Sequence, residues 1–180
     1  MYLITGVSGV GKTAVIPHLK QSLGDKFEVH DFDERGVPDN ADSQWRVDET
    51  EYWIEYGRKK DEGGVTVVVC GFSNPDEIAE IQGKSSDVKV QTILLDADAK
   101  IIENRLRNRN TDESVKKDLE RAVGSVETFI KNNTRFIPIL RKICREHQCP
   151  VVDTTHMAPE AVADDVAKLI KQSGIGTVLE

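Results

Sequence analysis

A glycine-rich stretch near the start of the chain, GVSGVGKT at residues 6–13, matches the pattern G-x-x-x-x-G-K-[ST] in full. Glycines permit a turn whose backbone N–H groups point inward and approach phosphate oxygens closely. The lysine of such a turn reaches the β- and γ-phosphates of a nucleotide, and the following threonine hydroxyl binds Mg²⁺. The stretch therefore predicts a nucleotide-phosphate site. The residues expected to contact the nucleotide are Gly6, Ser8, Gly9, Val10, Gly11, Lys12, Thr13 and Ala14.

The segments on either side of this stretch support the same interpretation. An apolar run at residues 1–5 predicts a buried strand, and apolar residues at helical spacing predict a helix over 12–23. A strand before the turn and a helix after it are the context that the pattern requires. A chance glycine-rich turn is the alternative, and the complete pattern disfavours it. A dinucleotide-binding fold is disfavoured because the spacing is not G-x-G-x-x-G.

Two carboxylates lie at the end of the predicted second strand, over residues 27–32. Asp31 and Asp33 are two residues apart, so on an extended chain they share a face. At the carboxyl end of a strand, where ligands of open α/β sheets bind, they could hold metal-bound water and accept a proton from a hydroxyl. The alternative is a polar strand exit with a helix cap.

The third predicted strand, over 65–71, ends in Cys70 and Gly71 rather than in an acid. A carboxylate for a metal shell must then come from elsewhere, and Asp31 or Asp33 is the natural candidate. Gly71 would leave room for a substrate to approach the backbone.

Strands and helices alternate along the whole chain, which predicts an α/β fold with a five-stranded parallel sheet and helices on both faces. We expect a single domain over 1–172 and a flexible tail over 173–180. The predicted strands are 1–5, 27–32, 65–71, 88–96 and 150–154. The predicted helices are 12–23, 43–62, 74–82, 98–108, 112–131, 136–147 and 158–172.

The composition argues against several classes of function. The 180 residues carry a formal net charge of -7, which argues against nucleic acid or an anionic membrane as a partner. Three cysteines do not form an even disulfide framework, and the N-terminus lacks the features of a secretory signal. We expect a soluble, cytoplasmic protein that is a monomer or a homodimer.

With these motifs, the chain resembles the small P-loop kinases of the nucleoside monophosphate kinase and shikimate/gluconate kinase type. The resemblance covers most of the chain and rests on GVSGVGKT, the D-x-D of Asp31 and Asp33, Gly71, LLDADAKIIENRLRNR and VVDTTHMAPEAVADDVAKLI. It implies a three-layer P-loop NTPase fold, ATP and Mg²⁺. It implies Asp33 as the base or the ligand of the substrate hydroxyl, and Asp31 as an outer-shell metal residue.

The resemblance also implies a lid whose arginines close on the transferred phosphoryl group. Arg105 and Arg109 occupy that place in a short lid at about 105–112, and four-residue spacing puts them on one helix face, with Arg107 pointing elsewhere. We expect Lys12, Asp33, Arg105 and Arg109 to be catalytic. The alternative for the arginines is a solvated basic helix end. Thr154 falls where the family's adenine often rests.

The acceptor of the phosphoryl group would lie against an insert at about 34–64, where no family arginine is identifiable by motif. Arginines and aromatic residues gather there, which suits a base, or a ring with an anion; ordinary packing of a helix on the sheet is the alternative. The expected substrate-binding residues are Asp33, Arg35, Arg46 and Gly71.

The sequence leaves three candidate functions. The first is transfer of the γ-phosphoryl group of Mg·ATP to a hydroxyl or phosphate of a small molecule or nucleotide. The second, a switch GTPase, is disfavoured because the chain has no N-K-x-D motif. The third is a nucleotide-binding regulatory P-loop ATPase without kinase activity.

Overall fold

The computed structural model describes residues 1–84, 89–109 and 124–173, which form five strands and six helices. The alternation of strands and helices agrees with the pattern of the sequence. The strands are β1 (Tyr2–Thr5), β2 (Phe27–Asp31), β3 (Thr66–Cys70), β4 (Gln91–Asp96) and β5 (Val151–Asp153). The helices are α1 (Lys12–Leu23), α2 (Ser43–Asp61), α3 (Pro75–Lys84), α4 (Ala99–Arg109), α5 (Val126–Glu146) and α6 (Pro159–Gln172).

The strands form one parallel sheet in the order β2-β3-β1-β4-β5, which confirms the predicted fold class. Strand β3 lies between β2 and β1, with Asp31 opposite Cys70 and Ile4 also opposite Cys70. The carboxyl ends of these three strands therefore meet at one edge of the sheet. The glycine-rich turn, Asp33 and Gly71 follow those ends, and Asp31 is the last residue of β2.

The core lies on both faces of the sheet, because successive strand residues point to opposite sides. Tyr2 and Ile4 pack with residues of α1, α4, α5 and α6, whereas Leu3 packs with residues of α2 and α3. Strand β3 is buried along its whole length, as expected for a covered parallel strand.

Helix α5 corrects one prediction. The sequence suggested separate helices at 112–131 and 136–147, but Val126–Glu146 is one helix that continues through Pro138. Its buried residues Ile130, Ile137, Leu140 and Cys144 follow one apolar face past the proline. Packing of that face on the core therefore outweighs the backbone hydrogen bond that a proline cannot donate. Residues 112–123 of the predicted first helix lie outside the described residues.

Other expectations also fall partly outside the described residues. Of the predicted lid, residues 105–109 form the end of α4, and 110–112 are not described; the same holds for 174–180 of the predicted tail. Among the helices of the described ranges, none has the length and apolar character needed to cross a membrane.

Gly71 is required by packing at the end of β3. A Cβ atom at this position would overlap the side chain of Phe32, which is itself buried and follows β2. The backbone N–H of Phe32 donates to the carbonyl of Cys70 at 3.0 Å, so the two segments cannot separate without losing that bond. The space that the sequence assigned to a substrate is therefore partly filled by Phe32.

We expect Gly71→Ala to lower the free energy of unfolding by about 3 kcal/mol, because the added methyl overpacks a closed contact. Gly83→Ala is the matched control. Gly83 lies in α3 with no atom within 4 Å of its Cβ position, and alanine there should raise stability by about 0.5 kcal/mol. Urea denaturation of both variants measures the difference. Equal stability of the two variants would contradict the packing argument.

Candidate functional site

The glycine-rich turn between β1 and α1, residues 6–11, has a backbone that glycine alone adopts easily. Gly6, Gly9 and Gly11 have φ angles of 154°, 89° and 102°, a region that side chains disfavour. A Cβ atom on Gly6 would also lie 2.5 Å from the carbonyl oxygen of Leu95 on β4. The glycines of the motif are thus needed both for the turn and for its close packing on the sheet.

Every carbonyl of this turn from Gly6 to Val10 accepts a hydrogen bond from a side chain. Lys12 Nζ donates to Gly6 and Val7, at 2.8 and 3.0 Å. The other three donors come from elsewhere in the fold. They are Asn133 Nδ2 to Ser8 at 2.9 Å, Arg105 Nη1 to Gly9 at 3.4 Å and Thr154 Oγ1 to Val10 at 2.9 Å. With its carbonyls bound in this way, the turn can present N–H groups to an anion.

Lys12 is a poorly hydrated cation inside this turn. Burial lowers the pKa of Lys12 from its usual 10.5 to about 8, and the nearby carboxylate of Asp33 opposes that decrease. The ammonium group is held by two carbonyl oxygens, neither of which carries a full charge. A phosphate placed here would supply the negative charge that the lysine lacks.

Thr13 and the two predicted carboxylates meet beside the turn. Thr13 Oγ1 donates to Asp31 Oδ2 at 3.2 Å, and the backbone N–H of Asp33 donates to Asp31 Oδ1 at 3.0 Å. Burial and the charge of Asp31 raise the pKa of Asp33, whereas Arg46 and Lys12 oppose that rise. The raised pKa prepares Asp33 to take up a proton.

These groups line one cavity of about 970 Å³. It extends from the glycine-rich turn to the carboxyl ends of β2 and β3. Most of the residues predicted to act at the site reach it. They are Ser8, Gly9, Val10, Gly11, Lys12, Thr13, Ala14, Asp31, Asp33, Arg46, Gly71, Arg105, Arg109 and Thr154. Gly6 and Arg35 are not among its lining residues.

The three arginines near the end of α4 make different contacts. Arg105 donates to Gly9 and to the carbonyls of Thr154 and Thr155, at 2.6 Å for Thr154, so it links the turn to the segment after β5. Arg107 pairs with Glu103 and Glu127, away from the cavity, as the sequence suggested. Arg109 lines the cavity without joining these contacts.

The insert between β2 and β3 divides into residues that reach the cavity and residues that do not. Arg46 reaches it, with its guanidinium carbon 5.2 Å from the ring centre of Phe72. Arg35 instead bonds Glu49 at 3.1 Å and lies 3.5 Å over the ring of Tyr52. Trp53 is 2% exposed and donates to the carbonyl of Phe32, so it packs in the core.

Two residues at the cavity gave no signal in the sequence. Asn133 and Phe136 lie on α5, and Phe136 packs against Phe72 with ring centres 5.6 Å apart. Sequence reasoning missed both residues because the predicted helices, 112–131 and 136–147, were separated at this point. In addition, an asparagine within a helix belongs to no recognisable motif. A continuous α5 would have placed both residues on one turn of helix.

The donor set fits a nucleotide phosphate with Mg²⁺. The turn has backbone N–H groups and a half-buried lysine that could bind phosphates, and Thr13 with Asp31 offers hard oxygen atoms for the metal. The hydroxyl of Thr154 is already bound to Val10, so Thr154 holds the turn in this arrangement.

Comparison with known proteins gives relatives over nearly the whole chain, although no family model matches it. A protein of Pyrococcus furiosus named "Putative adenylate kinase" is 30% identical over 178 residues, which cover 96% of this chain and 84% of that protein. A protein of the same name from Thermococcus kodakarensis is 27% identical over 173 residues, covering 94% and 84%.

Among solved structures, shikimate kinase from Acinetobacter baumannii in complex with shikimate superposes with a TM-score of 0.67. The alignment covers 97% of this chain and 94% of that one at 16% identity. At this level of identity the likeness concerns the fold, and it agrees with the parallel sheet described above.

The lowered pKa of Lys12 predicts how nucleotide affinity depends on pH. Phosphate binds the protonated lysine, so binding takes up a proton above the pKa of the free site. We expect affinity for Mg·ATP to fall above about pH 8, by up to about tenfold per pH unit. Isothermal titration calorimetry between pH 7 and 9.5 measures this slope.

Lys12→Arg is the control for this titration. Its guanidinium stays protonated across the range, so any affinity that it retains should lose the alkaline slope. A slope that is the same in both proteins would assign the titration to another group.

Proposed function

Because this chain belongs to the P-loop small-molecule kinase family, we propose that it is a phosphotransferase that moves the γ-phosphoryl group of Mg·ATP to a small molecule. The observation that carries the proposal is the single cavity shared by the phosphate-binding turn, Asp33 and Arg46. A donor and an acceptor could both bind in one space of this size. Transfer between them would then depend on position and charge rather than on covalent catalysis.

The donor half of the cavity would hold ATP by its phosphates. Lys12 would neutralise the β- and γ-phosphates, and the N–H groups of the turn would bind their oxygens. Thr13 would hold Mg²⁺ directly and Asp31 through water; bound Mg²⁺ neutralises charge on the phosphate oxygens. Arg109 would stabilise the transferred group. Arg105, which already bonds the turn and Thr154, would fix the donor site.

Asp33 supports a hydroxyl as the accepting group. A hydroxyl must lose its proton during transfer, and a carboxylate with a raised pKa within the same cavity can accept it. A phosphate acceptor needs no such base, because its second pKa of about 6 leaves it ionised at neutral pH. A phosphate acceptor would also place roughly two further negative charges near Asp31 and Asp33.

The residues around Arg46 support an acceptor with one anionic group beside an apolar part. Arg46, Phe72 and Phe136 line the same end of the proposed acceptor half. Two further arginines of the insert are engaged elsewhere. Arg35 is paired with Glu49, and Arg58 is paired with Glu55 and Glu62 at 2.8 and 2.7 Å. Arg46 is thus the insert arginine that we assign to the acceptor, and the role first given to Arg35 is not retained.

A nucleoside monophosphate is the second candidate acceptor. The observation in its favour is the name "Putative adenylate kinase" that the relatives from Pyrococcus furiosus and Thermococcus kodakarensis carry. The expected cytoplasmic location and the monomeric or dimeric state stay predictions from the sequence.

The test is a panel of acceptors with Mg·ATP: nucleosides, nucleoside monophosphates, sugars and hydroxylated carboxylic acids. We expect ADP formation to depend on a hydroxylated acceptor, with a new phosphomonoester signal in the ³¹P NMR spectrum. A new diphosphate signal with AMP would instead select the second candidate. ADP formation at the same rate with and without each acceptor would overturn the kinase proposal in favour of a regulatory ATPase. Lys12→Ala, expected to be inactive, controls for contaminating kinases.

Asp33→Asn separates the roles of the two carboxylates. We expect it to lower kcat by about 10²–10⁴-fold, because it removes the proton acceptor. The dissociation constant of Mg·ATP should stay within about twofold, since Asp33 is assigned to the acceptor. Asp48→Asn, on the exposed side of α2, is the matched control and should leave both quantities unchanged. A loss of Mg·ATP binding in Asp33→Asn would place that carboxylate at the metal.

A further inference from the structure

Asn133 makes an unusual contact with the phosphate-binding turn. Its Oδ1 accepts the backbone N–H of Ser8 at 3.0 Å, and its Nδ2 donates to the carbonyl of the same residue at 2.9 Å. The two bonds also fix the orientation of the side-chain amide, because the reversed amide would set like groups against each other. One side chain thus satisfies both backbone groups of one residue, 125 positions earlier in the chain.

The position of Ser8 gives this contact its importance. Ser8 stands between Val7, whose carbonyl binds Lys12, and Gly9, which has a φ of 89°. If Ser8 rotated, both the lysine contact and the direction of the following N–H groups would change. Gly9 is further held by Arg105 on α4, whereas Ser8 is held from α5.

A purely structural role for Asn133 is the alternative. The core-facing residues Ile130, Ile137 and Leu140 already attach α5 to the core without it. Asn133 is only half-buried and lines the cavity rather than the core. The two bonds to Ser8 are therefore an addition to a helix that the apolar face already secures.

We infer that Asn133 is a positioning residue that holds Ser8 so that the N–H groups of the turn converge on the nucleotide phosphates. The inference rests on the proposed donor site but not on the identity of the acceptor. By holding Ser8, Asn133 would strengthen ground-state binding of the donor nucleotide. It would therefore affect the affinities for ATP and ADP equally. Asn133 contacts the turn itself, and no contact with the reacting atoms is assigned to it.

The test measures binding rather than turnover. We expect Asn133→Ala to weaken Mg·ATP and Mg·ADP binding by similar factors of about tenfold, as two lost hydrogen bonds would. Calorimetry measures both dissociation constants. Asn133→Gln, which keeps both amide groups, should recover part of the affinity. Asn133→Asp should not, because its carboxylate would face the carbonyl of Ser8.

Asn132→Ala is the matched control, since Asn132 is the exposed neighbour on the same helix. It should bind both nucleotides as the unaltered chain does. Binding by Asn133→Ala within twofold of the unaltered chain would overturn the inference while leaving the proposed function intact. A lowered melting temperature with unchanged affinity would do the same, because it would show a structural role. An unaltered chain that binds neither nucleotide would overturn the proposed function and this inference together.

Discussion

The site depends on one backbone constraint: a turn whose N–H groups are to bind an anion must have other partners for its carbonyl groups. Buried carbonyls without partners are costly, so the turn is stable only where the surrounding fold supplies donors. Here the donors for residues 6–10 are Lys12, Asn133, Arg105 and Thr154. They come from α1, α5, α4 and the segment after β5. The phosphate site is therefore a product of the whole fold, although its motif occupies eight residues.

The sheet order brings the second half of the site to the first. Because β3 lies between β1 and β2, the end of β2 meets the turn that follows β1 across the width of one strand. A small residue at Gly71 lets Phe32 pack closely there, and the chain then continues to Asp33. The distance from the glycine-rich turn to Asp33 is thus set by the register of three neighbouring strands.

Local signals in the sequence were sufficient to predict the parallel sheet and to place the glycine-rich turn and the pair of aspartates at the carboxyl ends of its strands. Each depends on neighbouring residues or on simple periodicity. The continuity of α5 was missed because Pro138 is a local signal, whereas the apolar face that overrides it is a tertiary one. The same reason applies to Arg35, whose partners Glu49 and Tyr52 lie on the helix opposite, and to Asn133, whose partner lies 125 residues away. Contacts of this kind need the fold before they can be identified.

The charges of the cavity also bear on the acceptor that we propose. Burial and the charge of Asp31 raise the pKa of Asp33, and Arg46 and Lys12 oppose that rise. Each further negative charge brought near Asp33 raises its pKa again, and a protonated carboxyl can no longer accept a proton. A γ-phosphate bound at Lys12 would add negative charge there, which would leave Arg46 as the cation that lowers the pKa of Asp33 among the residues that shift it. An acceptor with a single anionic group would use the charge of Arg46 only in part. A phosphate dianion would use it fully and, because it is already ionised, would not need Asp33 as a base.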